Sequence, residues 1–469
     1  MTFVQVEFIL FFCILLLFYW GMPIKEPQKR TVQNLLLLFS SLFFYGFVEP
    51  WLIMLLLFST TLDYCSGLGM AHYPQRKRWF LSMSLVGNLS VLFLFKYFDW
   101  FSTSFASAAQ LLGLSLHPYT LGLILPIGIS FYTFQTLSYT IDVYKGVFSP
   151  KKNFLEYATF VCMFPQLVAG PIERASVLIP QIEQKRMWST AQFRAGFSLM
   201  LWGFFQKLVI ADTVSLYVDQ IFALPRPDPV LVWTATIGFM IQILADFGGY
   251  TSIARGVARM LGFSLSENFR RPYHALSPSD FWRRWHISLS SWMHQYIYIP
   301  LGGSKKGSAR WIFAVWATML ISGLWHGAQW NMIIWGALHA LWLCVWKAVG
   351  PRIAIKRKQL RKFLAWGLMM LLHPICWLFF RQEDIDSILY TLRYFPLSGD
   401  FHSYLVSMMS AGVFTIGIFS LWLGGYLREK IEIQTPRHKA LEQLGWAMAI
   451  CLILLFAQDT TKSFIYFRF

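Results

Sequence analysis

Apolar runs separated by short polar stretches dominate the chain. Phe3–Trp20 comes first. No basic residues precede it and no small-residue cleavage site follows it, so it reads as a retained span, not a signal peptide. Leu35–Phe47 and Trp51–Leu68 come next, broken at Glu49-Pro50, followed by Phe80–Phe101 and Leu121–Val143. Tyr157–Gly170 is too short for a hydrocarbon core of about 30 Å and is interrupted by Pro165 and by Ala169-Gly170-Pro171. It is expected to be re-entrant or interfacial, and such backbone must be wrapped in protein or line a cavity. Phe193–Ile210 and Val230–Leu244 are predicted spans, with Asp212, Asp219 and Asp228 in the loop between them. Trp311–Ile321 and Met332–Val349 resemble the two arms of a hairpin, and Phe363–Phe380, Ala411–Leu427 and Leu444–Phe456 complete about ten or eleven membrane elements. The pattern predicts an all-α integral membrane protein, with one membrane-embedded domain over residues 1–469. Within it, residues 1–120 carry N-terminal spans, 121–350 the core, and 351–469 further spans and an aromatic tail.

Composition agrees. Of 469 residues, 56% are hydrophobic and 13% charged, too few charges to cover a soluble globular surface. Lysine and arginine total 40 against 23 acidic residues, a net charge of +17. In a multi-span chain this excess is the positive-inside bias plus contact with anionic headgroups, and no nucleic-acid partner is expected. Basic loops at Lys25–Arg30, Arg76–Arg78 and Lys151-Lys152 are read as cytoplasmic, as are the basic segment 246–310, Lys356–Lys362 and Arg428–Lys439. Both termini then lie outside. The six cysteines are scattered with no C-x-x-C pair, which excludes a zinc ribbon or iron–sulfur site, and no metal is expected.

The polar residues inside the apolar chain carry the chemistry. Ser277-Pro-Ser-Asp280 is a helix start, with Ser277 as N-cap and Pro278 at the first helical position. Beyond it, Trp282, Trp285, Leu289, Trp292 and Tyr296 share one face of a predicted amphipathic helix, with Arg283, Arg284, His286 and Ser290 on other faces. Ile321–Gly336 places His326 between tryptophans at the turn of the hairpin, with Gly323 and Gly327 on either side. A helical climb from Arg310 brings His326 roughly 24 Å in. An ionisable residue at that depth is a candidate functional site, and a desolvated neutral imidazole can take a proton from an alcohol. His339 is expected to be a packing or interfacial histidine. Asp246-Phe-Gly-Gly-Tyr250 and Leu125-Pro-Ile-Gly128 are predicted to break their helices. Neither is a phosphate loop, for the lysine and the spacing are missing.

Several stretches in order match one known family. They are Leu125–Tyr139, Phe164–Pro171, Asp246–Tyr250, Asn268-Phe269, Phe281–His286, Tyr298–Gly303 and Gly323–Gly327. On them the chain resembles the bacterial membrane-bound O-acyltransferases, in particular the alginate O-acetyltransferase branch, with the teichoic acid D-alanyl transferases as more distant kin. The resemblance implies a curved palisade of helices around a thin region pierced by a tunnel, in the bacterial cytoplasmic membrane. It implies acetyl-CoA, or another acyl thioester or acyl carrier, as the cytoplasmic donor, with no bound cofactor. It also implies a polysaccharide acceptor outside and a periplasmic acyltransferase partner. The family's near-invariant histidine falls on His326, as general base, and its second motif histidine on His286. Trp325, Asp246, Tyr250 and Gln135 lie in matching stretches and, with Asn331 just beyond the last of them, are expected to bind substrate. The polyanionic donor gives Arg270, Arg271, Arg283 and Arg284 a phosphate role.

The final residues, Ser463–Phe469, are too short to span. They resemble tyrosine-bearing aromatic C-terminal motifs of related acylation systems, so Tyr466 is expected either to carry the acyl group as a phenyl ester or to anchor at the interface. Competing expectations are a different envelope acceptor (peptidoglycan, teichoic acid or lipid) and a transporter of an anionic substrate. A transporter would favour paired broken helices in two halves. Here the polar oddities cluster between residues 246 and 336.

Overall fold

The computed structural model describes residues 1–350, 357–394, 398–431, 436–457 and 464–465. The described residues are helical or irregular, with no strand among them. Among the described residues, seven helices are long and apolar enough to cross a membrane, and Val6–Gly21 and Glu442–Phe456 are apolar but shorter. The protein is a multi-pass membrane protein. Its contacts divide it into two compact units, Met1–Phe197 with Ala254–Ser266, and Ser198–Ile253 with Glu267–Phe469.

The first unit contains α1 (Val6–Gly21), α2 (Gln28–Gly46), α3 (Leu52–His72), α4 (Lys77–Leu92), α5 (Phe98–Leu111), α6 (Ile129–Tyr144), α7 (Phe154–Cys162), α8 (Phe164–Leu167) and α9 (Ala175–Glu183). A five-residue π stretch joins α4 to α5, making one continuous rod. The run expected to be helical from Leu121 begins only at Ile129. Pro126 offers no backbone donor, and Gly128 takes φ +82°, against the backbone of Leu167 and Val168 where a Cβ would not fit. Residues 156–173 are buried throughout. The helix breaks at Met163, and side chains take over the interrupted bonds. Ser41 Oγ accepts from Phe164 N, while Gln135 and Gln166 both donate to the Phe160 carbonyl at 2.7 Å. Asp63 of α3 is tied to α4, with both its oxygens accepting from Asn88 Nδ2 at 3.0 Å and one from Ser84 Oγ. In hydrocarbon, a carboxyl group needs such partners.

The second unit takes α10 (Thr190–Phe204) from Ser198 onward, its continuation through a π stretch, Phe205–Ala211, into α11 (Asp212–Phe222), and α12 (Pro229–Met260) as far as Ile253. Two sequence expectations are corrected here. Asp212 and Asp219 are helical, not loop residues, because the long rod runs on to Phe222. And α12 passes through Gly248-Gly249 without a break. Those glycines serve closeness instead: a Cβ on Gly203 would meet Gly249 O at 2.6 Å, and one on Gly249 would meet Gly203 O at 2.9 Å. Small residues at such a crossing let two membrane helices touch through their backbones. After α12 come α13 (Pro278–Trp282), α14 (Ile287–Met293), α15 (Ser308–His326), α16 (Trp330–Val349), α17 (Lys358–Arg381), α18 (Ile385–Arg393), α19 (Phe401–Ile431) and α20 (Pro436–Phe456).

Candidate active site

The hairpin of α15 and α16 sets the position of His326. Gly323 and Gly336 have no side chain to hold the arms apart, and a Cβ on either would collide with the Met332 or Met319 carbonyl across the crossing. His326 is the last residue of α15, and the chain turns through Gly327, Ala328 and Gln329 before α16 begins. Its imidazole is 2% exposed, with ring centroids 5.0 Å from Trp325, 5.0 Å from Trp335 and 5.2 Å from Phe380. Asn331 explains why Phe380 is there. Its amide nitrogen donates to the carbonyls of Phe379 (3.0 Å) and Gln382 (3.1 Å), locking the end of α17 beside the hairpin turn. His339 packs among Trp335 (4.6 Å), Trp282 (4.9 Å) and Trp342 (5.7 Å), the packing role expected of it.

His286 sits in a different local structure from the one expected. Ser277 does cap the helix, its hydroxyl accepting from Asp280 N at 3.0 Å. That helix ends at Trp282, however, and a second begins at Ile287. Between them His286 takes φ +42°, ψ +56°, the left-handed region that a residue bearing a Cβ enters at a cost of roughly 1–2 kcal/mol. Asn268 holds the chain there: its carbonyl accepts from Ile287 N (3.0 Å) and its side-chain oxygen from Ser288 N (3.2 Å). Arg270 N adds a bond to the Arg284 carbonyl at 2.9 Å. The five residues expected on one face, Trp282, Trp285, Leu289, Trp292 and Tyr296, are all buried even so.

The kink turns the imidazole inward. His286 is fully buried, 4.8 Å from Phe247 and 5.8 Å from Trp325 by ring centroids. Burial holds it far below the ordinary histidine range, at about 3, so it is neutral at physiological pH. One indole, that of Trp325, therefore borders both histidines. If the kink alone mattered, His286→Gly would preserve function, since glycine accepts this φ freely. If the imidazole matters, His286→Gly and His286→Ala lose activity alike while only the alanine protein loses thermal stability. We expect the second pattern, read by melting temperature and transfer rate together.

Asp246 and Tyr250 lie on α12 on either side of Phe247, the residue touching His286. Asp246 Oδ1 takes a 2.7 Å ion pair from Lys207, which also reaches Asp212 at 2.8 Å. Its Oδ2 accepts from the Ile465 backbone N–H at 2.7 Å. Phe464 packs edge-on to Tyr250 at 4.8 Å. Sequence reasoning missed this cluster, although a lone Lys207 inside an apolar run was a signal for a buried partner. Arg283 is exposed, Arg284 pairs with Asp280 at 2.9 Å, and Arg270 pairs with Glu267 at 2.8 Å. Gln135 belongs to the first unit, where it donates to the Phe160 carbonyl at the helix break. Tyr466 lies outside the described residues. Among the described residues, no group of three or more His, Cys, Asp or Glu side chains could hold a metal ion.

Two buried histidines thus share one aromatic wall. The model of the MBOAT, membrane-bound O-acyltransferase family matches residues 147–381, which include both histidines, and the chain belongs to that family. It is an O-acyltransferase of the alginate O-acetylase-like branch. It is 38% identical over 362 residues to the probable alginate O-acetylase AlgI of Pseudomonas syringae pv. tomato, covering 76% of this chain and 68% of that protein. It is 35% identical to the peptidoglycan O-acetyltransferase of Helicobacter pylori, over 78% of this chain and 74% of that one. A fainter likeness, 26% over 46% of this chain and 57% of the other, links it to the teichoic acid D-alanyltransferase of Bacillus subtilis.

Proposed function

We propose that this enzyme takes an acetyl group from cytoplasmic acetyl-CoA and passes it across the bacterial cytoplasmic membrane to hydroxyls of an alginate-like polysaccharide. His326 acts as general base and His286 assists. The observation that carries this reading is the burial of both imidazoles beside Trp325, a site that excludes water from a thioester and holds a proton acceptor in place. The reading includes a tunnel that admits donor from the cytoplasm and acceptor from outside. Exposed Arg271 and Arg283, with Arg270 and Arg284, would meet the donor's phosphates.

Tyr466 carries the group between the two substrates in this scheme. Its oxygen attacks the thioester carbonyl, its proton passes to the His326 imidazole, and the C–S bond breaks. Coenzyme A leaves as a thiolate and takes up that proton. A sugar hydroxyl, on the polymer or by way of a periplasmic partner, then attacks the phenyl ester, and the phenol departs with the hydroxyl's proton. A phenol with an ordinary pKa of about 10 is both a usable nucleophile beside a base and a fair leaving group.

Peptidoglycan is the second acceptor reading, favoured by the coverage shared with the Helicobacter relative. Mass spectrometry of envelope polymers from a strain lacking this protein, with and without the gene restored, tests the acceptor class. The expected result is loss of O-acetyl esters from an exported polysaccharide. Ester loss from peptidoglycan alone would shift the acceptor, and unchanged esters on every polymer would overturn the proposal.

A further inference from the structure

Lys207, Asp212 and Asp246 form an ion cluster inside the second unit, with side chains only 1%, 6% and 3% exposed. Helix rise puts Asp246 roughly 26 Å from the start of α12 and roughly 21 Å from its end, deep in the span. Charges at that depth are costly and mark function by default. Their third connection is to the far end of the chain. Asp246 uses one oxygen for Lys207 and the other for the Ile465 N–H, and the Phe464 ring lies 4.8 Å from the Lys207 ammonium as well as edge-on to Tyr250. Phe464 and Ile465 are themselves buried, 1% and 7% exposed. Residues expected on the outer surface are therefore drawn down to the middle of α12.

The local sequence builds this receptacle. Gly203 and Gly249 let the α10 rod touch α12 through backbone, which brings Lys207 alongside Asp246. Lys207 sits within the π stretch Phe205–Ala211, a winding that recurs at functional sites. Phe247, the neighbour of Asp246, is the ring against His286.

We propose that Lys207, Asp246 and Tyr250 are positioning residues that dock the C-terminal tail through Phe464 and Ile465, the two residues that precede the proposed carrier. The dock rests on the acyl-carrier reading above. The Asp246 carboxylate acts as an acceptor for a backbone N–H, and the ion pair with Lys207 orients it. With Asp246 removed, Lys207 keeps Asp212, so the cluster loses the tail without leaving an unpaired cation.

Carboxypeptidase trimming of the purified full-length protein, followed by intact-mass measurement, tests the dock without any substrate. In the wild-type protein trimming should stop before Ile465. Asp246→Ala and Phe464→Ala should release Ile465 about tenfold faster or more, the scale expected for losing a hydrogen bond to a charged group. Asp246→Asn keeps an acceptor for the Ile465 N–H and should restore most of the protection and of polymer transfer. A merely structural ion pair would be broken equally by Asn and Ala. Equal trimming of the two variants, or wild-type protein trimmed through Phe464 as fast as Asp246→Ala, would overturn the proposal. If the tail proves docked while Tyr466→Phe still acetylates polymer, the carrier reading fails and the dock stands.

Discussion

Gly336→Leu should abolish acyl transfer without touching a substrate. The first carbon of any side chain at 336 meets the Met319 carbonyl and comes within 3.2 Å of Leu320 Cα, all of it backbone of the opposite arm. Backbone cannot rotate away as a flexible side chain does, so α15 and α16 must separate. Overpacking of this kind costs about 1–3 kcal/mol and often more. The larger effect is on function: His326 ends α15, and a displacement of about 1 Å from its productive position is enough to lose about a hundredfold in rate. Gly336→Ala already carries the offending carbon and should show much of the loss. Gly367→Ala, on α17 with nothing within 4 Å of its new carbon, is the control and should be neutral or slightly stabilising. Melting temperature and transfer rate, measured on the three variants, check the argument.

Tyr466→Phe should leave a folded, donor-binding protein that places no acyl group on polymer. The substitution removes one oxygen and keeps the ring, so an interfacial anchor would be preserved while a carrier would be lost. The docking of Phe464 and Ile465 beside Lys207 and Asp246 supports the carrier reading, since an anchor has no reason to enter the interior. Acetyl transfer to polymer should drop by at least about a hundredfold, the order expected when a nucleophile is deleted from a covalent mechanism. Full acetylation by Tyr466→Phe would remove this residue from the scheme.

Much of this was legible in the sequence, and the exceptions have physical causes. Hydropathy located the hairpin and its buried histidine because those signals are local: a long apolar run, two glycines, one ionisable residue. The cap at Ser277 was equally local. The kink at His286 was not, because it is imposed by Asn268, eighteen positions earlier, whose oxygens hold the backbone in a conformation its own sequence disfavours. Gly248-Gly249 was misjudged for a related reason. Glycine weakens a helix in isolation, but here Gly203 on another helix converts that weakness into close contact. The partners of Asp246 were not legible, because a pairing across 219 positions leaves no trace in local pattern.

Release of coenzyme A from acetyl-CoA by the purified protein, wild type against His326→Ala, addresses the central claim most directly. The alanine protein should melt somewhat lower, since a packed ring is lost from the aromatic cage, so release is compared at a temperature where both proteins are folded. Removing a positioned general base should slow thioester cleavage by about 100- to 10,000-fold. Equal release by both proteins would contradict it, and the base would have to be sought elsewhere.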